Sequence, residues 1–165
     1  MPTHAEKRYV PYRPEEMYEL VAKVELYPEF LPWCKAARIT KRGDSHFSAD
    51  LVIAFKMFRE RFSSNVKLIP QSGVDVEYVN GPFRYLNNHW RFEPADDGGC
   101  IVDFYVDFEF RSKILQNLIG LLFNEAVNRM VAAFEGRAEQ LYRPINMRPK
   151  PNAAAELKQV AETVR

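Results

Sequence analysis

From Ala36 to Phe110 the hydrophobic positions recur with a period of two. Phe47, Ala49, Leu51, Ile53, Phe55 and Met57 share one parity, and Phe58, Phe62, Val66 and Leu68 share the other. Successive side chains of a strand point to opposite faces, so a change of parity requires a turn or bulge, here between Met57 and Arg61. Val74, Val76 and Tyr78 alternate next, followed by the turn signal Asn80-Gly81-Pro82. Leu86, Trp90 and Phe92 resume the alternation before a second turn at Asp96-Asp97-Gly98-Gly99. In the last run Val102, Phe104, Val106, Phe108 and Phe110 form one row and Asp103, Tyr105, Asp107 and Glu109 the other. That pattern predicts a half-buried antiparallel sheet with one wet face.

Helical periods flank this region. Lys7 to Tyr12 reads as a short first strand. Pro14 and the acidic pair Glu15-Glu16 open a helix that runs to about Lys23, with Met17, Leu20, Val21 and Val24 on its apolar face. A long helix follows the last strand. Ser112 is its predicted N-cap, and the period holds to about Tyr142. Its expected stripe is Leu115, Leu118, Leu122, Ala126, Met130, Phe134, Ala138 and Leu141. Between Ile114 and Phe123 only Gln116 and Asn117 are polar, so this half is apolar nearly all round. A surface helix normally keeps a polar face, so something besides one sheet is expected to cover Ile114, Leu121 or Phe123. Pro144, Pro149 and Pro151 then mark a linker, and residues 144–165 read as a flexible tail outside a domain of residues 1–143.

One segment obeys neither period. Tyr27-Pro28-Glu29-Phe30-Leu31-Pro32-Trp33-Cys34 spaces three aromatics three residues apart around two prolines. Pro28 is suited to open a short helix and Pro32 to end it, with Tyr27, Phe30 and Trp33 on one side. This stiff aromatic plug needs an apolar partner or an apolar ligand. The element order is strand, two short helices, about six strands and a long helix. It predicts an α+β fold in which a curved antiparallel sheet of six to seven strands wraps its last helix, leaving an apolar pocket between them.

Composition narrows the function. The chain has 165 residues, 47% hydrophobic and 13% aromatic, as expected for one globular domain with a real core. The net charge of +1 argues against general nucleic-acid binding while leaving local basic patches open. Two cysteines, Cys34 and Cys100, lack metal or redox spacing and read as free thiols of a reducing compartment. Neither a signal peptide nor an apolar run of transmembrane length is recognisable, which predicts a soluble intracellular protein.

Two segments resemble a known family. Val24-Glu25-Leu26 with the plug resembles the first signature of the coenzyme Q-binding, START-like family. Gly81-Pro82-Phe83-Arg84-Tyr85-Leu86 with His89-Trp90-Arg91-Phe92 resembles its second. The match extends over about residues 4–142. It implies a helix-grip (START/Bet v 1-like) fold around a hydrophobic cavity, in the polyketide cyclase superfamily. It further implies binding of ubiquinone or a similar isoprenoid lipid, as a chaperone or transfer protein supporting respiration. A related bacterial branch is described as a ribosome-association toxin of the large subunit and stands as the alternative; a polyketide cyclase is the second alternative. The expected localisation is the bacterial cytoplasm, extending to the inner face of the membrane.

With the strand and helix periods, the resemblance points to a ligand-binding set. It comprises Tyr27, Phe30, Leu31, Trp33, Phe55, Phe83, Trp90, Phe104, Phe108, Leu118, Leu122 and Met130. Each of these serves equally well as a core residue. Ile114 to Phe123 is open to three readings: a portal helix touching membrane, a face buried by the plug, or a face buried by a second subunit. Lys35, Arg38, Lys41 and Arg42, with Lys56, Arg59 and Arg61 at the turn, suit lipid headgroups, RNA phosphates or plain solvation. Catalysis finds little support. His4 falls in a loose terminus, His46 beside a turn and His89 opposite in parity to Trp90. Asp103, Asp107 and Glu109 alternate with core positions and face solvent. No phosphate loop or zinc ligand set is present, so a non-enzymatic binder without catalytic residues, metal or catalytic cofactor is expected.

Overall fold

A computed structural model describes residues 3–55 and 58–147. Lys56 and Met57, the side chains of Phe55 and Phe58, and residues 148–165 of the expected tail lie outside the described residues. Strand β1 (Thr3–Val10) leads into helix α1 (Pro14–Ala22) and a 3-10 helix (Val24–Glu29). Six strands follow: β2 (Cys34–Arg42), β3 (His46–Phe55), β4 (Phe58–Ile69), β5 (Gly73–Asn80), β6 (Phe83–Pro94) and β7 (Cys100–Phe110). Helix α2 (Lys113–Leu141) closes the fold, and a 3-10 turn (Ile145–Met147) follows it. All seven strands form one antiparallel sheet in the order β1-β7-β6-β5-β4-β3-β2. Consecutive strands from β2 to β7 are neighbours, and β1 closes onto β7.

The parity change of the sequence is the β3–β4 hairpin, in which Phe55 pairs with Phe58. At the next hairpin, Gly81 has a φ of +148°, and a Cβ there would stand 2.6 Å from the Phe62 Cβ. Only glycine fits that turn. A bulge then separates the pairs Phe83–Phe110 and Tyr85–Glu109. It turns Phe83, which is odd, onto the same face as the even residues Leu86, Asn88 and Trp90.

Strand β1 begins four residues before its predicted start, so His4 is not in a loose terminus. It pairs with Val106, and its ring lies 6.0 Å from Phe104. Thr-His-Ala-Glu carries little strand propensity; pairing with β7 holds it in place. The aromatic plug also differs from expectation. Its helix starts at Val24, with Pro28 inside it rather than at its head. Tyr27 and Phe30 both pack edge-on against Phe134, with centroids 5.5 and 5.2 Å away. Phe30 also lies under the Arg137 guanidinium.

Helix α2 is N-capped by Ser112, whose Oγ accepts from the Leu115 amide at 3.3 Å. Its buried residues are Ile119, Val127, Phe134 and Ala138: the last two belong to the expected stripe, while Ile119 and Val127 take the place of Leu118 and Leu122. In a helix of 3.6 residues per turn, each four-residue step advances about 40°. Leu118 is therefore about 160° around from Phe134, whereas Phe123 and Val127 are within about 20° and Ile119 within about 60°. An all-apolar half-helix gives periodicity nothing to discriminate with, and packing on the sheet selects the face. Ile114 and Leu121 are 80% and 85% exposed, so nothing among the described residues covers them.

Candidate functional site: an apolar cavity between sheet and helix

A cavity of about 230 Å³ lies between the sheet and α2. Residues from β3 to β7 all line it, which requires the sheet to curve around the helix. The helix wall is Ile119, Phe123, Ala126, Val127, Met130 and Phe134. The plug supplies Tyr27, Leu31 and Trp33 at one end, with Val24 from the start of the 3-10 helix. At the other end Phe83 stacks on Phe110 at 4.7 Å and meets Phe62 and Phe108 edge-on at 5.5 and 5.6 Å. The cavity thus separates the main core, which includes the plug, from a second cluster of Phe83, Phe108, Phe110 and Ile119.

Among the described residues no charged side chain lines this space, and its surface is almost wholly apolar. The polar groups on its walls are few. Trp90 donates its indole N–H to Asn88 Oδ1 (3.1 Å), and Asn88 Nδ2 donates to the Tyr105 carbonyl (2.9 Å). The Tyr27 hydroxyl donates to the Val21 carbonyl, and burial pushes its pKa far above that of an ordinary phenol. Ser64 Oγ and Trp33 Nε1 are buried without a hydrogen-bond partner among the described residues.

Of the residues expected to bind ligand, Tyr27, Leu31 and Trp33 reach the cavity from the plug. Phe83, Trp90, Phe104 and Phe108 reach it from the sheet, and Met130 from the helix. Phe30, Leu118 and Leu122 stand outside the lining. Phe30 braces Phe134 from behind, and Leu118 packs half-buried on the second cluster. Sequence reasoning passed over Ile119, Phe123 and Val127, which a mixed three- and four-residue spacing from Phe134 would have found. It also passed over Ser64 and Asn88, polar residues on the inward parity of β4 and β6.

The outward face of the sheet carries several ion pairs. Asp75 accepts from Arg91 at 2.7 Å and pairs with His89 at 3.0 Å. Lys7 pairs with Asp103 and Arg84 with Glu109, and the Thr3 hydroxyl donates a hydrogen bond to Asp107. Among the described residues, no group of three or more His, Cys, Asp or Glu is placed to hold a metal.

A family model described as polyketide cyclase / dehydrase and lipid transport matches residues 10–135. The chain belongs to this family. Ribosome association toxin RatA of Rickettsia prowazekii is 37% identical over 138 residues, covering 81% of this chain and 94% of that protein. The mitochondrial coenzyme Q-binding protein COQ10 homolog B of Xenopus laevis is 34% identical over 143 residues, 84% of this chain and 59% of that protein. A START superfamily protein from Mycobacterium smegmatis superposes with a TM-score of 0.74 at 19% identity, covering 85% of this chain and 99% of that one. The fold is the START/Bet v 1-like helix-grip fold, and the cavity occupies the space between the grip and its helix.

Proposed function

We propose that the chain binds ubiquinone or a similar neutral isoprenoid lipid and carries it, as a chaperone or transfer protein supporting respiratory electron transport, rather than transforming it. The observation that carries this reading is a sheet–helix cavity lined by aromatic and aliphatic side chains, with no charged group among the described residues. Such a wall favours an uncharged apolar guest, each buried methylene contributing about 0.8 kcal/mol. A charged guest would lose its hydration without a counter-ion. The Xenopus laevis relative is named for coenzyme Q binding. At about 230 Å³ the cavity is smaller than the roughly 300–1,000 Å³ of typical ligand pockets. It suits a ring headgroup and the start of its tail. The remaining tail would stay in a membrane or on a partner. Ile114 and Leu121 suit membrane contact, because they project from the half of α2 whose other side walls the cavity. The protein would then work in the cytoplasm and at the inner face of the membrane.

The test is extraction of protein purified from quinone-producing cells, with bound lipid identified by mass spectrometry. Ubiquinone is expected in the wild type and lost in Ala126→Phe, which fills the cavity from the helix wall without opening a hole. Wild-type protein that is empty, and that takes up no added ubiquinone, sinks the reading.

A second reading is association with the large ribosomal subunit. The Rickettsia prowazekii relative is named a ribosome association toxin, and Lys35, Arg38 and Lys41 are exposed on edge strand β2. Co-sedimentation with large subunits that is lost in Arg38→Glu/Lys41→Glu but kept in Ala126→Phe would favour it.

A further inference from the structure

Ser64 is polar, stands in the middle of β4 and is 2% exposed. It lies on the inward row between Phe62 and Val66, and all three line the cavity. Its Oγ has no partner among the described residues. The strand neighbours opposite it are Ala49, which has no polar side-chain atom, and Tyr78. The Tyr78 hydroxyl accepts from the Phe83 amide at 3.1 Å and does not reach Ser64 Oγ. Leaving a buried hydroxyl unpaired is costly, and alanine in its place would avoid the cost. The other polar side chains on these walls differ: Asn88, Trp90 and Tyr27 are engaged with one another or with backbone. Trp33 Nε1 is also unpaired among the described residues, but its backbone lies at the plug rather than beside mid-β4. The Trp33 carbonyl accepts from Ala54, whereas Ser64 is level with Ala49. Five residues of strand separate those levels by roughly 17 Å.

We propose that Ser64 is the polar anchor of the cavity, its hydroxyl donating to a carbonyl or ether oxygen of a neutral, otherwise apolar ligand. The proposal rests on the lipid-binding reading and specifies it: the guest carries an uncharged oxygen acceptor at the end that reaches mid-β4. Among the described residues the walls carry no cation to hold a carboxylate or phosphate. A pure hydrocarbon would leave the hydroxyl unpaired. An anchored oxygen sets which end of the lipid enters, while the aromatic walls supply most of the affinity.

The experiment compares wild type with Ser64→Ala against three probes: ubiquinone-2, farnesyl acetone and the hydrocarbon farnesene. Ser64→Ala is expected to weaken both carbonyl-bearing probes by about five- to tenfold, the worth of one neutral hydrogen bond. Farnesene affinity is expected to stay unchanged or tighten. The ligand-free variant is expected to melt at or above the wild-type temperature, because an unpaired hydroxyl has gone. The infrared carbonyl stretch of bound ubiquinone-2 is expected at lower frequency in wild type than in Ser64→Ala. Equal effects on all three probes, or no effect on any, overturn the anchor. So does a wild type that binds neither carbonyl probe. If farnesyl acetone binds through Ser64 but ubiquinone-2 does not bind, the quinone reading falls and the anchor stands.

Discussion

Single residues show how local partners set ionisation. Hydrogen bonds from Arg91, and then from His89, hold the Asp75 carboxyl below its ordinary value of 3.8 against the opposing effect of burial. A depressed folded pKa stabilises the fold above the unfolded value, and that contribution disappears as pH falls through the lower folded value. Asp75→Asn is therefore expected to lower the unfolding free energy from urea titration at pH 7, by no more than about 1 kcal/mol for a part-exposed pair. The difference from wild type should shrink below pH 4. Equal differences at pH 7 and pH 2.5 would contradict this. The thiols behave oppositely. Burial pushes Cys34 up to about 11 and Cys100 up to about 12, so thiolate is scarce at neutral pH. At pH 8 a disulfide reagent is expected to label both only as fast as the protein unfolds, and label release faster than unfolding would refute that. Neither effect was legible in the sequence. Asp75 is five residues from the Asn80 turn and sixteen from Arg91, and nothing in spacing pairs them; adjacent strands do.

Elements divide into those whose pattern is unambiguous and those whose pattern is degenerate. The row from Val102 to Phe110 alternates strictly, and its buried face follows that alternation along β7, with Val106 half-buried. The turn at Gly81 is forced by the space beside Phe62. The 3.6 period locates α2 and its cap, yet its first half is apolar on every side, so the period cannot choose a face. Phe134 is 5% exposed amid Tyr27, Phe30 and Trp90, whereas Leu121 is 85% exposed. Phe134→Ala is expected to cost about 3–5 kcal/mol in denaturant unfolding. Leu121→Ala should stay within about 0.5 kcal/mol. Comparable losses at both positions would mean that α2 is rotated from the face described. The bulge after Phe83 is a further case: simple alternation from Leu86 assigns Phe83 to the wet face, and one inserted residue brings it in.

For the molecule as a whole, the exposed apolar end of α2 and the cavity behind it form one unit. If that end meets membrane, Ile114→Glu/Leu121→Glu will abolish co-flotation with vesicles of phosphatidylethanolamine and phosphatidylglycerol. Thermal stability should be preserved, since both side chains are exposed. Retained flotation, or lost folding, would exclude this role for the face. Among the described residues, no helix is long and apolar enough to cross a membrane.

By itself the sequence determined the order of elements, the inward row of most strands and the family. These depend on local periods and short signatures, which sterics and solvent impose residue by residue. Only the tertiary structure decided that β1 starts at Thr3, that Ile119 and Phe123 rather than Leu118 and Leu122 wall the cavity, and that Phe30 stands behind that wall. It also decided that Ser64 has no hydrogen-bond partner among the described residues. A strand row can be read from its own side chains. Whether a hydroxyl on that row is satisfied depends on the strands beside it and on the helix opposite, which meet it only when the sheet closes around α2.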